Sequence, residues 1–424
     1  MNKVRCIDLF AGLGGIRLGF MEGMKEKGIE TECVFSSELK PYAIKAYKEY
    51  FGEDIVYGDI TKIRTEDIPD FDYLLGGFPC QPFSSAGKRL GFTDTRGTLF
   101  FEIERVLKEK MESGHPAEGF LLENVEGLVN HDGGRTLQVI LEHLRSMDYK
   151  VNFRVLDSKN FGLAQSRKRI YITGTRHEKV DLDDFQVTTA VLSDIMEHGL
   201  PTVDDDFTRK LLKNYSLTEL PGKAIKDKRG GADNIHSWDL ELKGRTTKEE
   251  RILLSKLLKE RRKKKWASEI GISWMDGMPL TEKQISSFYT GKNLHNMLTK
   301  LTAEGYLTLE HPKKLNKKHR RVPDETKEKG YNIVAGKLSF EFSKILDPSK
   351  LAPTLVAMDV SKLGIIDGKG IRHLTVREGL RLCGYPEDYS LSSVSDSDAF
   401  DLLGNTVCVP VIKAISERIG DLWL

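Results

Sequence analysis

The chain has 424 residues, 39% hydrophobic and 30% charged, enough for one large globular domain or two ordinary ones. No run of about 18 apolar residues occurs and "MNKVRCIDLF" has no signal-peptide pattern, so neither a membrane span nor a secretory leader is expected. The net charge of +2 hides an asymmetry: residues 241–330 carry 22 Lys+Arg against 12 Asp+Glu, which suits a polyanion such as nucleic acid, or else a solvated helix face with basic loops.

The first 175 residues alternate strand-like and helix-like runs. "VRCIDLF" (4–10) reads as a buried strand, and "GGIRLGFMEGMKEKG" (14–28) as an amphipathic helix stopped by Gly28. "TECVFSSE" (31–38) is a second strand, and "KPYAIKAYKEYFG" (40–52) a helix with Pro41 in its first turn. "DIVYGDI" (54–60), "DYLLGGF" (72–78) and "GFLLENV" (119–125) read as strands, and 100–113 and 136–147 as helices. "KVNFRVLD" (150–157) and "RIYITGT" (169–175) close the series. Such alternation predicts an α/β fold with a mainly parallel sheet, helices on both faces, and ligands beyond the carboxyl ends of the strands.

Polar residues fall at those ends. "DLFAGLGG" (8–15) places glycines at a helix N-terminus, without the G-x-G-x-x-G of a dinucleotide site or a P-loop lysine. Glu38 and Asp59 end the next two strands, where they can hold a ribose diol and an adenine amino group. Singly, each reads better as a turn or cap residue; together with the glycine loop they suit an adenosine-type ligand without phosphate, such as S-adenosylmethionine. Cys80 and Glu123 follow on later strand ends, and Arg167 and Arg169 precede another strand with period-two spacing. The five cysteines are scattered without a C-x-x-C pair, which argues for a reducing compartment and against a metal site.

"DLFAGLGGIRLGF", "GGFPCQPFSSAGKRLGFTDTRGTLF", "ENVEGL", "QSRKRIYI", "RHLTVREGLRLCGYPEDY" and "GNTVCVPVIKAI" occur in an order that resembles the DNA cytosine-5 methyltransferase family, of the bacterial restriction-modification type. The resemblance implies a Rossmann-like S-adenosylmethionine-dependent methyltransferase sheet with a smaller inserted target-recognition domain. Cys80 is then the nucleophile that adds to cytosine C6, so that C5 can attack the methyl group. Glu123 acts on N3, Arg167 holds the base O2, and Arg169 orients Glu123. The resemblance places Phe10, Gly12, Leu13, Gly14, Glu38, Leu39, Asp59, Ile60, Pro79, Asn405 and Val407 around the cofactor. The base must be flipped from the duplex, under a lid from Gln81 to Thr98, with Gln81, Ser84, Lys88, Arg89 and Arg96 meeting DNA. Ala86 stands where relatives often carry serine, and Leu39 where some carry tryptophan. The implied partners are double-stranded DNA and, acting separately, a cognate restriction endonuclease; no metal and no membrane are involved. A monomer in a bacterial or phage-infected cytoplasm is expected. The alternatives are a relative acting on tRNA and an idle DNA-binding protein that retains the fold.

The motifs bracket an insert. The expected catalytic domain is 1–176 with 400–424, and the expected recognition lobe is 177–399. "TKEERILLSKLLKERRKKKWASEIG" (247–271) reads as one basic amphipathic helix. Thr281 and Gln284 form a capping box before a second, and 293–305 is a third, stopped by Gly305. With the strand and basic turn that follow, 247–325 is either a winged helix-turn-helix or helical padding. In the first case helix 293–305 enters a major groove, and Lys313, Lys314, Lys317 and Lys318 contact phosphates. Thr354 and Leu355 resemble the family's Thr-Leu recognition element.

Overall fold

Successive residues of β1 (Val4–Leu9) pack into different cores: Val4 and Cys6 into one cluster, Ile7 and Leu9 into another. Both faces of the strand are therefore covered, as the unalternating apolar pattern requires. The computed structural model describes residues 3–52, 55–79, 99–227, 234–316, 320–334, 340–357 and 359–423. They form two units: Met1–Glu197, Pro348–Ser361 and Leu374–Leu424, and His198–Asp347 with Lys362–His373.

In the first unit α1 (Gly15–Glu26), β2 (Thr31–Ser37), α2 (Pro41–Phe51), β3 (Tyr73–Gly77), α3 (Phe100–Glu112), β4 (Gly119–Val125), α4 (Arg135–Ser146), β5 (Lys150–Asp157) and β6 (Lys168–Thr175) follow β1. The sheet order is β2-β1-β3-β4-β6-β5. β6 alone runs against its neighbours, pairing Val125 with Arg169. Its beginning therefore lies at the carboxyl end of β4, where the site forms. One face of the sheet is covered by Phe100, Ile103 and Val106 of α3 and Leu137 and Ile140 of α4, the other by Ile16, Phe20 and Met24 of α1. Among the described residues 55–60, the expected strand does not form. Tyr57 makes only an isolated bridge to Ser37, and Asp59 caps a short 3-10 turn, Ile60–Lys62. Gly58 and Asp59, both turn formers, cut the apolar run short.

The second unit contains α5 (Asp206–Asn214), β7 (Ala224–Ile225), β8 (Asn234–Ile235), α6 (Lys248–Glu260), α7 (Lys264–Glu269), α8 (Glu282–Ser286) and α9 (Leu294–Ala303). Then come β9 (Leu307–Glu310), β10 (Lys313–Leu315), β11 (Arg321–Pro323), β12 (Gly330–Ile333), β13 (Lys344–Ile345), β14 (Leu363–Asp367) and β15 (Gly370–His373). One sheet has the order β15-β14-β13-β7-β8; β9 pairs with β12, and β10 with β11. The helix expected over 247–271 is two helices. Thr247 caps α6 with Glu250 in a capping box, but the chain breaks after Glu260. Arg261 turns inward there, 7% exposed, and donates to Asn332 Oδ1 at 2.5 Å, so the basic run is not one solvated face. The capping box of Thr281 and Gln284 starts α8 as expected.

The chain returns to the first unit through α10 (Val376–Cys383), α11 (Asp396–Asn405) and α12 (Val409–Trp423). α12 lies against α1, where Gly19 and Gly23 remove the side chains that would block it. A Cβ on Gly19 would lie 2.6 Å from Ile412 Cβ, and one on Gly23 2.5 Å from the Lys413 carbonyl oxygen. The inserted unit is smaller than 177–399, because 177–197, 348–361 and 374–399 belong to the first unit. Long-range bonds hold them there: Ala352 N–H to the Ala164 carbonyl (2.8 Å), Gln165 Nε2 to the Leu382 carbonyl (2.9 Å) and Tyr389 O–H to the Leu13 carbonyl (2.7 Å). Among the described residues, no single helix is long and apolar enough to cross a membrane.

Candidate active site

A cleft of about 780 Å³ opens at the carboxyl ends of β1 to β4 and the start of β6. Of the residues expected at a cofactor, Phe10, Gly12, Leu13, Glu38, Leu39, Asp59, Ile60, Pro79, Asn405 and Val407 line it. Phe10 and Gly12 both have positive φ, 57° and 55°, so the loop after β1 holds one non-glycine residue in a left-handed conformation. Glu38 fixes that loop to the end of β2. Its Oε2 accepts from Gly12 N–H, and Oε1 from Leu39 and Lys40 N–H, each at 2.8 Å. The carboxylate is thus oriented before any ligand binds. Leu39 is 68% exposed on the wall of the cleft, an apolar surface left open. Asp59 accepts from Thr61 N–H (3.1 Å) and Oγ1–H (2.7 Å), which holds its carboxyl below the usual range. It is both a cap and a lining residue.

Farther along the same cleft, Glu123 is 9% exposed and its Oε1 lies 3.1 Å from Arg169 Nε. Burial pushes this carboxyl up from the usual glutamate range, against the pull of Arg169 and Arg167. The neighbouring Asn124 donates from Nδ2 to the Phe78 carbonyl at 2.8 Å, joining the "ENV" end of β4 to the chain just before Pro79.

Three expectations are corrected by these positions. Gly14 does not line the cleft: its φ of +68° starts α1, and a Cβ there would lie 2.3 Å from the Phe51 ring and 2.8 Å from that of Tyr47. Arg167 lines the cleft but is 2% exposed. Its Nη1 donates to the Leu355 carbonyl (2.8 Å), and Nη2 to those of Gly404 (3.1 Å) and Thr406 (2.6 Å). A guanidinium so engaged braces the backbone of the cleft wall. Thr354 and Leu355 do not present a free recognition element. Thr354 Oγ1 donates to the Ser166 carbonyl at 2.7 Å, and Leu355 is 1% exposed with its N–H on Gln165 Oε1. Cys80, Gln81, Ser84, Lys88, Arg89, Arg96, Lys317 and Lys318 lie outside the described residues.

The C-5 cytosine-specific DNA methylase family model matches residues 4–421. The chain belongs to that family. It is similar to Type II methyltransferase M.NlaIV of Neisseria lactamica, 57% identical over 99% of both chains. Similarity extends to M.NgoBV of Neisseria gonorrhoeae (55%, 99% of both) and M.BanI of Aneurinibacillus aneurinilyticus (40%, 98% of this chain and 96% of the relative). Among solved structures, the Entamoeba histolytica methyltransferase EhMeth aligns with a TM-score of 0.53 at 14% identity, covering 100% of both chains. The S. pombe Dnmt2 methyltransferase aligns at 0.51 and 16%, again over 100% of both. At those identities the likeness carries the fold alone, a Rossmann-like α/β sheet.

The chain is therefore a DNA (cytosine-5)-methyltransferase. Sequence reading missed Asn124 among the residues that line the cleft, and Gln165, which does not line it but bonds to Leu355 and Leu382. Asn124 sits inside "ENV" and carried a signal, a buried-strand amide beside the glutamate. Gln165 is fully buried and bridges Leu382 and Leu355, partners about 200 positions away that no local pattern reveals.

Proposed function

We propose that this methyltransferase uses S-adenosylmethionine to methylate C5 of a flipped-out cytosine at a specific site in double-stranded DNA, as the modification partner of a Type II restriction endonuclease. Bound there, the cofactor supplies a methyl group on a cationic sulfonium. The cleft fits it: Glu38 is fixed where it can accept from a ribose diol, Leu39 and Phe10 offer apolar walls, and the glycine loop has no P-loop lysine for a phosphate. Asp59, Ile60, Leu13 and Val407 complete the holding set, with Gly12, Pro79 and Asn405 at its edges.

The observation that carries the reading is the buried Glu123–Arg169 pair joined, through Asn124, to the strand end that leads into Pro79 and Cys80. The Cys80 thiolate bonds to cytosine C6 while Glu123 delivers its proton to N3. Electron density displaced toward C5 makes that carbon the nucleophile. After methyl transfer a base removes the C5 proton, the C6–S bond breaks, the thiolate leaves and the N3 proton returns to the Glu123 carboxylate. Arg169, with its Nε on Glu123 and its Nη1 on the Lys168 carbonyl, holds the acid in place and offers Nη2 to the base. Arg167 braces the wall behind it. Gln81, Ser84, Lys88, Arg89 and Arg96 belong to the segment that would close over the DNA.

Incubation with methyl-labelled S-adenosylmethionine, double-stranded DNA and tRNA in parallel tests this. Label is expected in DNA, absent from Cys80→Ser, with bisulfite sequencing giving the site. Label in tRNA alone overturns it.

A further inference from the structure

Within the second unit, residues 280–333 have an order that serves one purpose in many folds. Leu280 bridges Tyr331 of β12, α8 and α9 follow, then β9, the β10–β11 hairpin and β12, which pairs antiparallel with β9. Leu280 and β9 thus both pair with β12, and β10 pairs with β11 beside them in sequence. Ile285, Leu298, Leu301, Tyr306, Leu307 and Ile333 share one core with Leu254 and Leu257 of α6. The order of elements is that of a helix-turn-helix followed by a wing.

α9 buries Leu298 and Leu301 and half-buries Leu294 and Met297. Its other side presents His295, Asn296 and Thr299, all exposed, and exposed Lys292 stands in the turn just before the N-cap, Asn293. His295 and Asn296, four and three positions before Thr299, form a single stripe with it. The stripe is wholly polar, has no acidic member, and belongs to the segment with the excess of lysine and arginine. Among the described residues its acidic contact is Glu282, 2.9 Å from His295 Nδ1.

We propose that α9 is the sequence-reading helix of this methyltransferase: it lies in the major groove of duplex DNA, with Lys292, His295, Asn296 and Thr299 on base edges and the β10–β11 hairpin on phosphates. The inference rests on the reading that the substrate is duplex DNA. A B-form major groove admits an α-helix, whereas the deep, narrow major groove of A-form RNA does not. The side chains are of the right kind: asparagine pairs with an adenine edge, lysine with guanine O6 and N7, and threonine with a thymine methyl. In the hairpin, Lys314 is drawn to Asp324 (2.8 Å), while Lys313, Arg320 and Arg321 remain for phosphates, Arg321 also donating to the Trp274 carbonyl.

The test is selection of duplexes from a random pool by the full chain, followed by bisulfite reading of the same duplexes after exposure to S-adenosylmethionine. The variants are Asn296→Ala, the combined His295→Ala/Thr299→Ala, and, as a control, Lys259→Ala at an exposed position of α6. Circular dichroism melting of each confirms folding. Wild type and Lys259→Ala are expected to enrich the same sequence. Each α9 variant is expected to lose preference at one or two of its base pairs by about tenfold or more. Double-stranded RNA should not compete. An unchanged sequence in both α9 variants, no enriched sequence with wild type, or equal competition by RNA overturns the inference. Duplexes that are enriched but gain no C5 methyl overturn the proposed function instead, and α9 is then judged on the enrichment alone.

Discussion

At neutral pH an ordinary glutamate has lost its proton and an ordinary cysteine has mostly kept one, so the proposed chemistry needs both groups displaced. Burial moves Glu123 in the required direction. A raised value means the proton is held to higher pH, so the active protonated fraction falls as pH rises through that value. The kcat profile should show an alkaline decline that Glu123→Gln removes, with kcat down roughly 10²–10⁴-fold and cofactor affinity, by calorimetry, unchanged. Arg169→Ala takes away the cation that pulls the carboxyl down, so the alkaline decline should move to higher pH while kcat drops. A decline that moves to lower pH would contradict the pairing. Glu123 and Arg169 were legible in the sequence because the chemistry demands those residue types at strand ends. The division of labour between the arginines was not. Period-two spacing applies inside a strand, and Arg167 stands just before β6, where backbone carbonyls from distant segments capture it.

The seam between α1 and α12 depends on glycines that the sequence offers without explanation. Gly19→Ala puts a methyl against Ile412, and the structure predicts a loss of about 1–3 kcal/mol in a denaturant melt. A substitution that leaves the melt unchanged would mean that α12 shifts freely. In the hairpin, Lys313→Ala should weaken all duplexes about equally and lower the salt slope of binding by about one. Lys314→Ala should change that slope less, since its ammonium is already on Asp324. Salt-dependent binding measurements separate the two. Most elements were legible from their periodicity and caps. The failures, the strand at 54–60 and the long helix at 247–271, came where a turn pair or a buried arginine overrode an apolar pattern.

At the scale of the molecule, the first unit is assembled from three stretches of chain. Arg167 is their fastener, with carbonyls of Leu355, Gly404 and Thr406 on one guanidinium. Arg167→Ala leaves those carbonyls short of donors in a buried place and should cost about 3 kcal/mol or more. Thermal melting of the isolated chain reads this directly, and a variant as stable as wild type would show that the segments hold without it. The same substitution should reduce methylation even below the melt, because the cleft wall rests on these bonds.

The sequence alone determined most strands and helices of the first unit and the order of its motifs, because strand period and helix caps are local properties. The reversed β6 that brings Arg169 beside Glu123, the grouping of 348–361 with the first unit, and the bonds that tie Arg167, Thr354 and Leu355 to distant partners were decided only by tertiary structure. Each depends on a partner far away in the chain, and burial gives a polar group to whichever partner can satisfy it.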